Sequence, residues 1–314
     1  MPNWIGDVAL ALSVIMQKAE AGHAAMTLLV PPTFVDLCSV LSELPVIAYK
    51  RKSHKEFIET ISSLRARQFD EAFILPISFS SAWCSLRARI PRRRGVSKEC
   101  RGILLTERLS DGLRNVNDHL THEYATVLET PYLFPETWQA RTLATIPEKS
   151  PYKDAILFCP GSKYGPAKRW PWFGELARHF SQENIVLLGD SDEAETGNAI
   201  ESIDSHRIKN LIGKTTLTEV VSIIAHARLV VSNDSGLMHI AGFLGTPVIG
   251  IFGSTSPTWT RPLSGKARMA TTKIECSPCF SRTCRYGHYN CLKNISPDQI
   301  VNLAEQLLSG EAPL

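Results

Sequence analysis

Long apolar runs are missing from this chain: no segment of its 314 residues approaches the roughly 18 apolar residues of a membrane span. Nor does a basic segment followed by an apolar run open it, as a secretory signal would, so a cytoplasmic location is expected. A strong excess of one charge is absent too. With 34 Lys and Arg against 31 Asp and Glu, the net charge of +3 is too balanced to imply a polyanion-binding protein by composition alone, which leaves the question to local clusters. No G-x-G-x-x-G opens either half, which argues against a nicotinamide-dependent Rossmann enzyme. Recognition helices and aromatic-interleaved basic faces for nucleic acid are lacking, as are internal repeats.

What is present is a core-forming composition, 44% hydrophobic, in a chain long enough for two domains. Short apolar runs at 27–30, 69–75, 154–159, 184–189, 228–232 and 247–252 have the continuous hydrophobicity of buried parallel strands. Helical periodicity fills the spaces at 9–20, 53–67, 172–182, 192–202, 216–225 and 297–308. The alternation predicts α/β architecture with helices on both sheet faces. A polar stretch between 141 and 153, broken by Pro147 and Pro151, is the expected linker, dividing the chain into 1–150 and 151–314. The first domain begins on the loop PNWIGD (2–7) with only Met1 ahead of it, whereas a Rossmann-like sheet needs a strand feeding that loop. The expectation is a first sheet lacking its first strand, with a groove in its middle.

Ligands of open α/β sheets sit beyond the carboxyl ends of strands, and three strand-end loops carry suitable chemistry. In NDSGLMHIAG (233–242), Asp234 and Ser235 precede Gly236 at the start of a helix whose free N–H groups suit a diphosphate; a simple capped helix explains the same residues. PGSKYGPAKRWP (160–171) joins glycines to Lys163, Lys168 and Arg169, cations that would stabilise charge on a departing phosphate, or would make a solvated turn. LLGDSDEAE (187–195) ends a strand in glycine and offers Asp190, Asp192 and Glu193 to sugar hydroxyls, or to helix capping.

These loops, with PNWIGD and the closing CSPCFSRTC…CLKNISPDQIV, resemble glycosyltransferase family 9 in order and spacing over nearly the whole chain, specifically its heptosyltransferase II branch. The resemblance implies a GT-B fold, two Rossmann-like domains facing across a cleft, and an inverting transfer without a catalytic metal. It implies ADP-heptose as donor and a Kdo- or heptosyl-Kdo-lipid A core as acceptor, with peripheral contact at the inner membrane. By motif position, Ser162 and Lys168 would meet the diphosphate, and Asp234, Ser235, Gly236 and His239 the sugar phosphate. Thr215 would lie near adenine, and Glu193 or Asp192 near ribose.

An inverting transfer needs one base for the acceptor hydroxyl. Asp7, near a helix start after Gly6, is the candidate, with N-capping as its structural alternative and the family's matching aspartate in its favour. For an anionic acceptor the basic clusters at 49–55 and 87–101 stand out: Lys50, Arg51 and Lys52, then Arg92, Arg93 and Arg94. A solvated face, or attraction to anionic lipid, explains them as well. His119 and His122 could reach the acceptor or serve packing.

Of eight cysteines, four are scattered and four, Cys276, Cys279, Cys284 and Cys291, form C-x2-C-x4-C-x6-C with His288 inside. That spacing fits a structural zinc site, although reduced thiols packing a loop, or disulfides, fit it also. No catalytic step requires a cofactor there.

Overall fold

The computed structural model describes residues 1–22, 25–140, 143–146 and 150–309. Two compact units emerge, Met1–Leu133 and Phe134–Leu314. The division precedes the expected linker, whose residues 141–142 and 147–149 lie outside the described ones. The reason is Trp138. Its indole Nε1 donates to the Phe243 carbonyl at 2.8 Å and its ring lies 5.1 Å from that of Phe243, so 134–140 are seated on the second unit.

In the first unit, α1 (Ile5–Ala21) is buried continuously from Val8 to Met16 and packs against α5 (Leu120–Leu128). Between them run β1 (Leu28–Val30), α2 (Val35–Leu41), β2 (Val46–Ala48), α3 (His54–Ala66), β3 (Glu71–Ile74), α4 (Phe79–Arg87), β4 (Arg92–Val96) and β5 (Glu107–Leu109). All pairings are parallel, but they form two sheets, β1-β2 and β3-β4-β5. The run 92–96, expected as a basic patch, is the central strand of the second sheet. Its register sets Arg92 opposite Glu71 and Arg94 opposite Glu107, cross-strand pairs that let an arginine-rich segment form a strand. The capping box of Ser53 and Glu56 starts α3, satisfying two helix-terminal donors.

The second unit is one six-stranded parallel sheet. In chain order come β6 (Ile156–Cys159), α6 (Phe173–His179), β7 (Ile185–Leu187), α7 (Ala194–Glu201), β8 (Ile208–Asn210), α8 (Leu217–Ala225), β9 (Leu229–Asn233), α9 (Gly236–Leu244), β10 (Val248–Ile251), α10 (Pro257–Thr260), β11 (Ala267–Ala270), α11 (Asn290–Lys293) and α12 (Pro297–Ser309). Their order across the sheet is β11-β10-β9-β6-β7-β8. Strands β6, β7, β9 and β10 are buried at every position, which is why they were legible as unbroken apolar runs. Phe158, Phe173, Trp170 and Leu292 join strand side chains in one core on the face covered by α6 and α12. The order of strand addition reverses between β6 and β9: β7 and β8 extend the sheet one way from β6, β10 and β11 the other from β9. That reversal is the topological switch point, where adjacent loops part and leave a crevice.

Candidate active site

The loops that part at the switch point are those expected to hold the donor. After β6 comes the loop carrying Ser162 and Lys168, and after β9 come Asp234 and Ser235. Lys168 Nζ donates to Asp234 Oδ2 at 2.5 Å, with the lysine side chain 12% exposed and the aspartate 3%. Thr255, beyond β10, donates its hydroxyl to the same oxygen at 2.5 Å, and the Tyr164 ring lies 4.6 Å beneath the lysine ammonium. Asn233 ties the two loops from below: its Nδ2 donates to the Pro160 carbonyl at 2.6 Å, while its Oδ1 accepts from Trp170 N at 3.1 Å.

This arrangement gives Asp234 a structural task. Its carboxylate is engaged by Lys168 and Thr255, and its backbone N–H donates to the Ile251 carbonyl. Its carboxylate thus holds Lys168 at the strand ends. Ser235 is the N-cap of α9 but makes no side-chain cap bond; its hydroxyl lies 3.1 Å from that of Ser232. The positive end of α9, with Gly236 first, thus carries no side-chain oxygen of its own, as an anion site requires. His239 is buried one turn further on.

Beside this group, Ser162 is buried, and its hydroxyl accepts from Tyr164 N at 3.3 Å. Glu193, after β7, completes a capping box with Asp190 and is 3.8 Å from Arg169. Gly161 is glycine because a Cβ there would meet the Glu193 carboxyl at 2.4 Å. Burial pushes that carboxyl up. Asp192 is ion-paired with Lys163 at 2.7 Å, and Thr215 lies in the loop after the edge strand β8. A cavity of about 440 Å³ opens at the same strand ends, lined by Thr255, Ser256 and Thr271–Glu275 among others.

In the first unit, Asp7 occupies the third position of α1, behind an N-cap, Trp4, that makes no side-chain bond; Gly6 lies within the helix and not in a turn. Asp7 is half-buried, and its charge acts on Arg114 and on Tyr124. Arg114 grips the buried Glu123 bidentately at 2.6 and 2.8 Å. Tyr124 is 1% exposed; burial first, then Asp7, raises its phenol.

The acceptor candidates divide. Lys50, Arg51 and Lys52 are exposed, with Arg51 donating to Ser80 Oγ at 3.0 Å and lying over the Tyr49 ring. Arg92, Arg93 and Arg94 are committed within the fold. Arg92 pairs with Glu71, Glu107 and Glu129, Arg94 with Glu107 and the Thr126 and Val127 carbonyls, and Arg93 with the Leu104 and Ile90 carbonyls. These bonds explain the run of three arginines without an acceptor. His119 is a buried N-cap whose Nδ1 accepts from Thr121 N at 3.3 Å, a structural duty. His122 sets its ring edge against Tyr132.

Thr255, Asn233 and Tyr164 were not foreseen. Their only signal is position: each lies at or just after a buried strand, on the edge that carries the other loops.

The model of glycosyltransferase family 9 (heptosyltransferase) matches residues 58–290. The chain belongs to that family. It is 30% identical to lipopolysaccharide heptosyltransferase 2 of Salmonella typhimurium, over 99% of this chain and 97% of that one. With lipooligosaccharide heptosyltransferase 2 of Haemophilus ducreyi it shares 31% identity over 98% of each. Among solved structures, E. coli ADP-heptose lps heptosyltransferase II superposes with a TM-score of 0.81 at 28% identity, covering 98% of this chain and 97% of that one. The fold is thus GT-B and the chain an enzyme, a glycosyltransferase. No described helix is long and apolar enough to cross a membrane.

Proposed function

We propose that this family 9 transferase moves heptose from ADP-heptose onto the inner core of lipopolysaccharide, with inversion at the anomeric carbon. The observation that carries the reading is the switch-point group: a buried lysine and a helix N-terminus without a side-chain cap, on the two loops that part there. The names of its full-length relatives supply the sugar and the acceptor class. As the acceptor hydroxyl attacks the anomeric carbon, the glycosidic bond to ADP breaks and negative charge builds on the diphosphate. Lys168, Ser162 and the first N–H groups of α9 stabilise that charge from fixed positions. Asp7 takes the hydroxyl proton, with Arg114 and Tyr124 setting its electrostatic surroundings. Thr215 lies toward adenine and Glu193 toward ribose. Lys50, Arg51 and Lys52 attract the acceptor's phosphates and carboxylates.

Peripheral binding to anionic bilayers belongs to the same reading, because α4 exposes Phe79 (46%) and Trp83 (37%), stacked on each other, with Arg87 over the Trp83 ring. The deciding experiment follows ADP release with ADP-heptose and heptosyl-Kdo-lipid A. Asp7→Asn is expected to stop turnover and leave ADP binding intact. Activity retained in that variant removes Asp7 as the base; no ADP release by the unaltered chain with any heptose acceptor refutes the transferase assignment.

A further inference from the structure

Between β11 and α11 the chain runs from 271 to 289 without helix or strand, and no residue from 271 to 290 is buried. Ile274 at the core edge and Phe280 against Trp259 are its apolar anchors, and it turns sharply, with Phe280, Gly287 and Tyr289 at positive φ. Its three cysteines, Cys276, Cys279 and Cys284, are free thiols, as is the buried Cys291 at the start of α11. They line one cavity of about 10 Å³ together with His288, Ala167 and Ser254. That volume suits a single atom-sized guest. The Ser254 hydroxyl, 1% exposed, has no hydrogen-bond partner among the described residues. A turn follows Cys284, in which Gly287 N donates to the Cys284 carbonyl at 3.1 Å and the Cys284 sulfur lies 4.0 Å from His288 Nδ1.

We propose that Cys276, Cys279, Cys284 and Cys291 bind one thiophilic divalent cation of the zinc class, and that the closed segment braces the donor loops. Four cysteines suit a closed tetrahedral site, with no open position for chemistry. Among the described residues no group of three or more His, Cys, Asp or Glu side chains is arranged as a ready metal site. Binding a metal there requires the four cysteine side chains, which line one cavity, to rotate toward a common centre.

The bracing follows from the bonds that the segment makes. Cys279 N and Phe280 N both donate to the Ser254 carbonyl, at 3.0 and 2.7 Å, and Ser277 Oγ donates to the Gly253 carbonyl at 2.7 Å. These hold the loop that carries Thr255. Ala167 N donates to the Arg282 carbonyl at 3.1 Å, and the Tyr164 hydroxyl donates to the Phe280 carbonyl, which hold the loop that carries Lys168. A Cβ at Gly165 would lie 2.7 Å from the Arg282 carbonyl oxygen, so the two loops run nearly in backbone contact. The cysteines thus act on the donor site by positioning, and this half of the proposal rests on the donor reading above.

The test uses the full chain, purified without a histidine tag under reducing conditions. Elemental analysis is expected to find about one zinc per chain, retained through dialysis and lost in Cys279→Ser but kept in Cys100→Ser. Iron in the same stoichiometry, lost in the same variant, supports the site equally. Chelator treatment of the unaltered chain is expected to weaken ADP binding, measured calorimetrically, by about fivefold or more, with Zn²⁺ restoring it. Less than about a tenth of an equivalent after Zn²⁺ reconstitution, or disulfides among these four cysteines in the reduced-purified chain, overturns the site. One bound metal with unchanged ADP affinity after its removal overturns the bracing. Metal content is read without turnover, so failure of the transferase reading leaves that measurement intact.

Discussion

Lys168 and Asp234 hold opposite charges almost out of solvent at the head of β9, and a buried pair is costly to break from one side. Lys168→Ala leaves Asp234 with the Thr255 hydroxyl alone and removes the cation nearest the proposed diphosphate. We expect kcat to fall by about 10²–10³, as for loss of one fixed transition-state donor, with a smaller change in KM. Asp234→Asn keeps the shape but frees Lys168; it should lower kcat/KM and lower the melting temperature together. A variant with unchanged melting temperature and unchanged kcat/KM would mean that Lys168 needs no holding. Sequence reading found both residues because glycine-flanked charges after buried strands are conspicuous. It did not show that Asp234 holds Lys168, since contact with Lys168 and Thr255 joins segments 66 and 21 positions apart, which no local pattern encodes.

The central strand β4 shows the same division among elements. Its sequence RRRGV lacks the alternation or apolar run by which strands are recognised. What makes it a strand lies on its neighbours, Glu71 on β3 and Glu107 on β5, and on Glu129 just beyond α5. By contrast β6, β7, β9 and β10 carry their own evidence in continuous burial, and α3 and α8 in their capping boxes. Arg92, then Arg94, hold the Glu107 carboxyl down to about 2 from 4.5. The unfolded chain therefore binds that proton more readily than the folded one. The stabilisation is complete above the ordinary carboxyl range and is lost as pH falls toward about 2. Glu107→Gln should lower the urea midpoint near neutrality, and the difference from the unaltered chain should shrink steadily below about pH 4.5. A difference independent of pH over that range would show that the arginines do not depend on the Glu107 charge.

At the scale of the whole molecule, composition and the βα alternation gave two α/β units, but placed their division at a proline-broken polar stretch. The fold divides the chain earlier, because a segment without regular structure can belong to a domain through one large side chain. Trp138 is 8% exposed, hydrogen-bonded to Phe243 and tilted against its ring, and Ala140 packs at Gly245, where its Cβ would be 2.6 Å from one added to that glycine. Burying an indole of this kind contributes about 3–5 kcal/mol, judged by what its truncation typically removes. A fragment beginning at 134 should therefore unfold cooperatively and bind ADP, whereas one beginning at 151 should unfold at distinctly lower urea concentration. Trp138→Ala in the longer fragment should reproduce most of that loss, which separates the indole from the mere length of chain. Equal urea midpoints for the two fragments would return the boundary to the polar stretch and leave Trp138 as a surface contact of no consequence for the second unit.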